Sequence, residues 1–223
     1  MTNKDSNLQE QAYSKIREKI IYCTFPPGTK LSEKDLEDKI KIGRTPIREA
    51  LIRLRREELL YTKAQSGNYI SKINLSTADN ARFVREHIEK LVMIECCSKV
   101  TDNDFYNLEK ILDVQKKAAI ENDPISFFIS DDEFHKYFYS LVGKEEIWDW
   151  MQTHNTHLNR FRLLRLKVVE LRWQTILEQH YQIFEALKSK NPEESEFLTA
   201  QHLHMMIDEK HKLIKAYPDY FQE

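Results

Sequence analysis

The run from Gly43 to Leu51 combines a helical pattern with cations close to its start. Arg44, Thr45 and Arg48 would lie in the first turns, while the later turns carry an apolar stripe for packing. The N-terminus of a helix favours phosphate through its free N–H groups and its dipole, and an arginine side chain also matches the edge of guanine in a major groove. This chemistry suits contact with DNA.

A second set of residues has the types and spacing of metal ligands. Asp131 and His135 are four residues apart, so a helix would present both on one face. His180 and His202 each lie 11 residues from Asn191, where a turn between two helices is predicted, so an antiparallel pair would hold both imidazoles at one height. Such oxygen and nitrogen ligands suit zinc, nickel, manganese or iron, with positions left for water or a small acid.

The segments around the basic run predict a helix-turn-helix. Apolar residues recur at helical period from Leu8 to Tyr22, and Ser32 opens a shorter helix that runs to about Lys39. The turn covers residues 41–43. In the following recognition helix, Thr45 is predicted as the N-cap and Pro46 as the first helical residue.

A short hairpin is predicted after the recognition helix. Residues 61–63 and 68–73 alternate at strand period on either side of a turn that contains Gly67. This hairpin would form the wing of a winged helix-turn-helix. We expect Gly67 to let the wing approach a groove of DNA and Lys34 to contact phosphate.

The same residues resemble the GntR family of bacterial transcription regulators. The run from Leu36 to Leu51 is similar to the family pattern Leu-Ala-x-x-Leu-Gly-Val-Ser-Arg-Thr-Pro-Val-Arg-Glu-Ala-Leu. Three positions depart from it: Lys41 replaces the turn glycine, Gly43 a serine, and Glu58 the glycine that commonly ends the recognition helix. A non-glycine residue with positive φ costs about 1–2 kcal/mol, so the first departure bears directly on the turn.

Beyond residue 74 the pattern is helical throughout, which predicts a mainly α protein whose C-terminal domain is an antiparallel bundle. Short polar breaks separate the helices. Six helices are expected, with approximate bounds 76–100, 101–121, 123–143, 145–167, 168–190 and 192–216. The boundary near residues 167–172 is weak, so the fourth and fifth could be one bent element.

Parts of this bundle resemble the FCD branch of the GntR family. The order Asp131-Asp-Glu-Phe-His135, and the segments around His180 and His202, are similar to the metal-binding segments of that branch. The resemblance implies that these four residues bind a divalent metal, which in turn holds a carboxylate effector. Arg85 and Arg162 are the candidate effector-binding residues, since a guanidinium matches a carboxylate in a bidentate pair.

Charge divides the chain in two. Residues 1–74 carry 15 basic and 10 acidic residues, whereas residues 75–223 carry 19 and 26, within a net charge of -2 for the whole chain. The first segment is the predicted DNA-binding domain, and the second is the predicted effector-binding and dimerisation domain. The three cysteines form no CxxC pair, and no apolar run approaches the length of a membrane span. A cytoplasmic protein is expected.

These observations favour a homodimeric, ligand-responsive transcription regulator that binds operator DNA. The resemblance implies that it represses transcription rather than activates it. Two alternatives remain open from the residues. A carboxylate with three histidines could serve a metal-dependent enzyme, although no general base or nucleophile accompanies it. The metal could also be purely structural in a DNA-binding dimer.

Overall fold

The structure, a computed structural model, describes residues 3–222 apart from the side chains of residues 3–6 and 206–208. It contains two compact units. The first comprises the chain up to Leu75 together with the C-terminal tail, Tyr217–Gln222, and the second spans Ser76–Ala216. The sequence had placed the tail in the second domain. The mainly α fold class, with a small sheet near the N-terminus and a helical C-terminal part, is confirmed.

The first unit has three helices and a small antiparallel sheet around one apolar core. The core is contributed by all three helices and by the sheet, and includes Ile16, Leu36, Ile47, Leu54 and Ile70. The strand order is β1-β3-β2. The elements are α1 (Asn3–Ile21), β1 (Lys30–Leu31), α2 (Glu33–Ile40), α3 (Arg44–Arg56), β2 (Leu60–Lys63) and β3 (Gly67–Ile70).

The helix-turn-helix forms at the predicted residues. Ser32 caps α2 because its hydroxyl accepts a hydrogen bond from the Asp35 backbone N–H at 3.0 Å. One N-cap prediction is wrong: α3 begins at Arg44 with Gly43 as its N-cap, so Thr45 already lies inside the first turn. Pro46 is tolerated there because the N–H groups of the first turn have no partner within the helix.

The wing is the hairpin of β2 and β3, with Lys63 opposite Gly67 at its tip. Gly67 has φ +105°, in the region that side chains with a Cβ rarely adopt, which is why glycine suits this position. The sequence did not predict β1, whose two residues pair with β3. A two-residue strand is too short to display an alternating pattern.

The C-terminal tail packs on the end of the wing segment. Ile73 and Phe221 form a parallel bridge, and both side chains are buried. The Ile73 N–H donates to the Tyr220 carbonyl at 2.8 Å, and the Gln222 N–H donates to the Ile73 carbonyl at 2.9 Å. The first unit is therefore assembled from both ends of the chain.

The second unit is a helical bundle with aromatic residues at its centre. Phe134, Phe138 and Tyr139 pack in its core together with Met93 and Leu112. None of the helices in the described part of the chain is long and apolar enough to cross a membrane. The helices are α4 (Leu75–Lys99), α5 (Asp102–Glu121), α6 (Pro124–Leu141), α7 (Glu145–His154), α8 (Thr156–Arg165), α9 (Trp173–Lys188) and α10 (Pro192–Ala216).

Two helix boundaries in the bundle differ from the predicted ones. The predicted helix 145–167 is interrupted at Asn155 and becomes α7 and α8. Asparagine and the threonines on either side of it are poor helix formers, which favours a break at this point. The helices on either side of residues 166–172 are not one bent element, because this segment is non-helical and closes through turn hydrogen bonds such as Leu171 N–H to the Val168 carbonyl at 3.0 Å.

Candidate metal centre and nucleic-acid interface

Four predicted ligands converge inside the second unit. Asp131 and His135 lie one turn apart on α6, His180 comes from α9 and His202 from α10. All four are buried, and one potential ligand atom from each lies within 4.8 Å of the others. The His202 Nε2 atom is 3.3 Å from Nε2 of His180 and 3.2 Å from Nε2 of His135.

An oxygen acceptor faces the Nδ1 atom of each imidazole. The Gln115 side-chain oxygen lies 2.8 Å from Nδ1 of His180, and that of Gln179 lies 2.9 Å from Nδ1 of His202. The Glu89 carboxylate accepts from Nδ1 of His135. When Nδ1 carries the proton, the lone pair of each ring is on Nε2, so three lone pairs point towards one another. Only a cation or a proton at this point relieves their repulsion.

The charge states of the cluster also suit a metal. Burial lowers the pKa of His180 to about 3, against the attraction of Asp131. Burial and the neighbouring His180 and His135 hold the pKa of His202 well below its ordinary value. The pKa of Asp131 is lowered because attraction to Arg162 and to the imidazoles outweighs its burial. At neutral pH, His180 and His202 are therefore neutral and Asp131 is ionised, the forms that ligate metals.

The spacing fits a small divalent ion. With bonds of about 2.1 Å to nitrogen, adjacent ligands of a metal lie about 3.0–3.4 Å apart in octahedral or tetrahedral sites. The two Nε2 separations fall in this range. Asp131 lies slightly farther out, with one oxygen 3.7 Å from Nε2 of His180 and the other 3.9 Å from Nε2 of His135. One carboxylate and three imidazoles suit zinc, nickel, manganese or iron.

A cavity lined with arginines adjoins the cluster. Its volume is about 50 Å³, and Asp131 and His202 form part of its wall. Four guanidinium groups line it, those of Arg82, Arg85, Arg162 and Arg165. The structure thus places both predicted effector-binding arginines, Arg85 and Arg162, beside the cluster. Arg82 was not predicted, although it lies three residues before Arg85 on the same helix.

The arginines of the cavity are held by buried or half-buried carboxylates. Arg162 pairs with Asp131 and, at 2.8 Å, with Asp132. Arg165 pairs with Glu209. Nη2 of Arg85 and Nη1 of Arg165 are buried and have no hydrogen-bond partner among the described residues. Unpaired buried N–H groups are costly, so these two nitrogens favour an anionic guest in the cavity.

The predicted DNA-contacting residues share an exposed surface of the first unit. Arg44, Thr45 and Arg48 at the start of α3 are exposed, as is Lys34 on α2. The Nε atoms of Arg44 and Arg48 both donate to the same Glu33 carboxylate oxygen at 2.9 Å. These hydrogen bonds to the arginines lower the pKa of Glu33. The sequence analysis had not identified Glu33, which holds the two guanidinium groups side by side.

Two family profiles match this chain. A profile described as the FCD domain matches residues 81–205, and one described as bacterial regulatory proteins of the gntR family matches residues 8–70. The chain belongs to the GntR family, in its FCD branch. It is therefore a DNA-binding transcription regulator rather than an enzyme.

Individual GntR relatives match along almost the whole chain. The HTH-type transcriptional repressor RspR of Escherichia coli is 30% identical over 222 residues, which cover 99% of this chain and 96% of the relative. The Nta operon transcriptional regulator of Aminobacter aminovorans is 27% identical over 86% of this chain and 89% of the relative. The fold resembles that of E. coli McbR/YncC, with a TM-score of 0.79, 19% identity and coverage of 97% of this chain and 100% of that one.

Two of the departures from the GntR pattern lie at residues with positive φ. Lys41 has φ 59° and ψ 40°, so it adopts the left-handed conformation that the family assigns to glycine. Glu58, which follows the recognition helix, has φ 57°. Both turns thus hold a non-glycine residue at positive φ and carry the strain of a side chain in that region.

Proposed function

We propose that this GntR regulator is a homodimeric repressor whose affinity for operator DNA changes when a small carboxylate binds at a metal centre in the second unit. The observation that carries the proposal is the four-residue ligand cluster beside a cavity lined with guanidinium groups. A metal ion and guanidinium groups both attract a carboxylate, so the two together suit an organic acid. Repression rather than activation is supported by the relative RspR, which is a transcriptional repressor by name.

Asp131, His135, His180 and His202 would hold one divalent ion. Once bound, the ion supplies a concentrated positive charge with positions open to an oxygen ligand. Arg85 and Arg162 would orient the acid through bidentate hydrogen bonds. The buried N–H of Arg85 that has no partner in the structure gives this guanidinium a donor to offer.

On the DNA side, Arg44 and Arg48 would read base edges, with Thr45 and Lys34 contacting the backbone. Gly67 at the tip of the wing leaves room for close approach to a groove, since only the flexible end of Lys30 lies within 4 Å of its absent Cβ. One recognition helix reads only a few base pairs, so specific binding requires two copies on a symmetric site.

The outer face of α4 is the surface we assign to the dimer. Val84, Leu91 and Ile94 recur at a spacing typical of helix pairing and are all exposed, Leu91 to 67%. Phe83, also exposed, stacks on His87 next to this row with ring centres 4.1 Å apart. An exposed, largely apolar row of this kind, with His87 between Val84 and Leu91, is typical of a protein–protein interface, and a second copy supplies an identical face.

The test is operator release. An operator selected from random duplexes is labelled, and its complex with the metal-loaded protein is titrated with a panel of mono-, di- and hydroxycarboxylates by fluorescence anisotropy. We expect at least one acid to shift the dissociation constant, and the shift to vanish after chelation. If the protein binds metal but none of the acids changes its affinity for the operator, the metal is structural and the sensing role is rejected.

A further inference from the structure

Glu89 is a fully buried carboxylate that bridges a cation and a metal-ligand candidate. It lies on α4, where one of its oxygens accepts from Arg85 Nε at 3.1 Å. The other oxygen accepts from Nδ1 of His135 on α6. Arg85 is itself 98% buried. Three side chains, Arg85–Glu89–His135, are therefore linked by hydrogen bonds through the core of the bundle, and the last of them belongs to the ligand cluster.

This link distinguishes His135 from the other two imidazoles. Nδ1 of His180 faces the amide oxygen of Gln115, and Nδ1 of His202 faces that of Gln179, so both partners are neutral. His135 faces a carboxylate. A carboxylate that accepts from Nδ1 makes the imidazole a stronger electron donor at Nε2 and fixes its orientation, and such outer partners contribute 10–100-fold to metal affinity.

Arg85 supplies the counter-charge for the bridging carboxylate, and both side chains are buried. A lone carboxylate in this position would be expensive, because burying an unpaired charge costs several kcal/mol. The arginine four residues earlier on the same helix compensates for this cost.

We propose that Glu89 is a positioning residue of the metal centre, which orients His135 through Nδ1 while Arg85 holds the Glu89 carboxylate in place from the other side. The inference rests on the metal-binding part of the proposed function. The three imidazoles would then be unequal as ligands. The bond between the metal and His135 would depend on the carboxylate of Glu89, whereas the bonds to His180 and His202 would depend on neutral amide partners. Because Arg85 also lines the cavity beside the cluster, the same three side chains connect that cavity to the ligand cluster.

Glu89→Gln tests the proposal in the full-length protein. The probe is Zn²⁺, measured by competition with a chelator, followed by the d–d absorption bands of Co²⁺ at the same site. We expect Glu89→Gln to weaken Zn²⁺ binding by 10–100-fold and to shift the Co²⁺ bands. Glu95→Gln is the matched control, since it makes the same change on the same helix at a half-buried carboxylate that pairs with Lys99 and Lys144, away from the ligand cluster. It should match the wild type in both measurements.

A second variant guards against misfolding. Glu89→Gln leaves Arg85 buried without its partner, whereas Arg85→Met combined with Glu89→Gln removes both charges and should fold. The double variant is expected to show the same loss of Zn²⁺ affinity. Wild-type affinity and an unchanged Co²⁺ spectrum in either folded variant would overturn the inference and leave Glu89 as the partner of Arg85 alone. If the wild type binds no metal, the proposed function fails as well, so the two failures are distinguishable.

Discussion

Nε2 of His202 lies 3.2 Å from Nε2 of His135, although 67 positions separate the two residues in the chain. Two imidazole nitrogens this close share either a proton, carried by one neutral ring, or a cation, and burial disfavours the charged imidazolium by lowering the pKa of His202. The contact therefore links the packing of α6 against α10 to the chemistry of the site. It also motivates the first prediction.

His180→Ala should remove metal binding and effector response together. The loss of Zn²⁺ affinity should exceed the 10–100-fold change expected for an outer partner, because a direct ligand is lost. Operator affinity in the absence of effector should stay close to that of the wild type, since Arg44 and Arg48 belong to the other unit. Elemental analysis and operator titration of the variant measure both effects. A variant without metal that still responds to effector would place the effector elsewhere.

Arg44→Ala and Arg48→Ala should each cost about 1–3 kcal/mol on the selected operator, with a smaller loss on random DNA. Lys34→Ala is the contrasting variant and should weaken both kinds of DNA alike, as expected for a phosphate contact. Equal weakening on operator and random DNA by the arginine variants would exclude base reading.

Glu33→Ala should increase affinity for random DNA. The Glu33 carboxylate neutralises two guanidinium groups on the exposed surface, and its removal leaves both free for phosphate. The slope of log affinity against log salt should become steeper, because more counterions are released. Anisotropy titrations at several salt concentrations give the slope. An unchanged slope would show that Glu33 already leaves the arginines when DNA binds.

The second unit should lose stability in mild acid when a chelator is present. The pKa of His180 is about 3 in the folded protein and 6.5 by reference, so the unfolded chain binds more protons between these values. The free energy of unfolding should therefore fall as pH drops below about 6.5, by up to about 1.4 kcal/mol per pH unit for this group. Denaturant unfolding at pH 7.5 and 5.5 measures the change. His180→Gln should show a shallower dependence on pH, and an equal dependence would contradict the assignment.

Leu91→Lys should convert the dimer to a monomer. The substitution places a charge in the apolar face of α4, which a second copy would have to bury unpaired. Light scattering measures the mass of the free protein. Ile120→Lys is the control, since Ile120 is equally apolar and 78% exposed but lies on α5. A dimer that survives Leu91→Lys would require a different interface.

Lys41→Gly should stabilise the first unit by roughly 1 kcal/mol, because it relieves a side chain held at φ 59°. Lys39→Gly, two residues earlier in the last turn of α2, should have the opposite effect and cost about 0.5–1 kcal/mol. Thermal unfolding of both variants gives the two signs. A destabilised Lys41→Gly would mean that the Lys41 side chain makes contacts worth more than the strain.

Local pattern was sufficient to predict most helices and the grouping of the cluster. Asp131 and His135 share a helical turn, and the symmetric spacing of His180 and His202 about Asn191 needs only an antiparallel pair to bring them together. The structure does bring these four together. Such relations depend on helical period and turn position, which a sequence displays directly.

The partners across helices were not predictable in the same way. Glu89 is one of many acidic residues in the helical segment, and its role depends on how α4 packs against α6. Glu33 lies 11 and 15 positions from the arginines that it pairs with, across the turn of the helix-turn-helix. The break at Asn155 was missed because weak helix formers shift a boundary only when packing allows it.

The C-terminal tail completes the first unit with residues that lie far from it in the chain. Asn74 and Gln222 are 148 positions apart, and their side chains are hydrogen bonded at 2.8 Å. Closing so long a loop in a flexible chain is entropically unfavourable, but a folded bundle between the two ends removes most of that cost. During synthesis, residues 8–70 leave the ribosome before the bundle, yet their unit gains its contacts with residues 217–222 only after the bundle has been translated. A segment that is translated early is thus completed late.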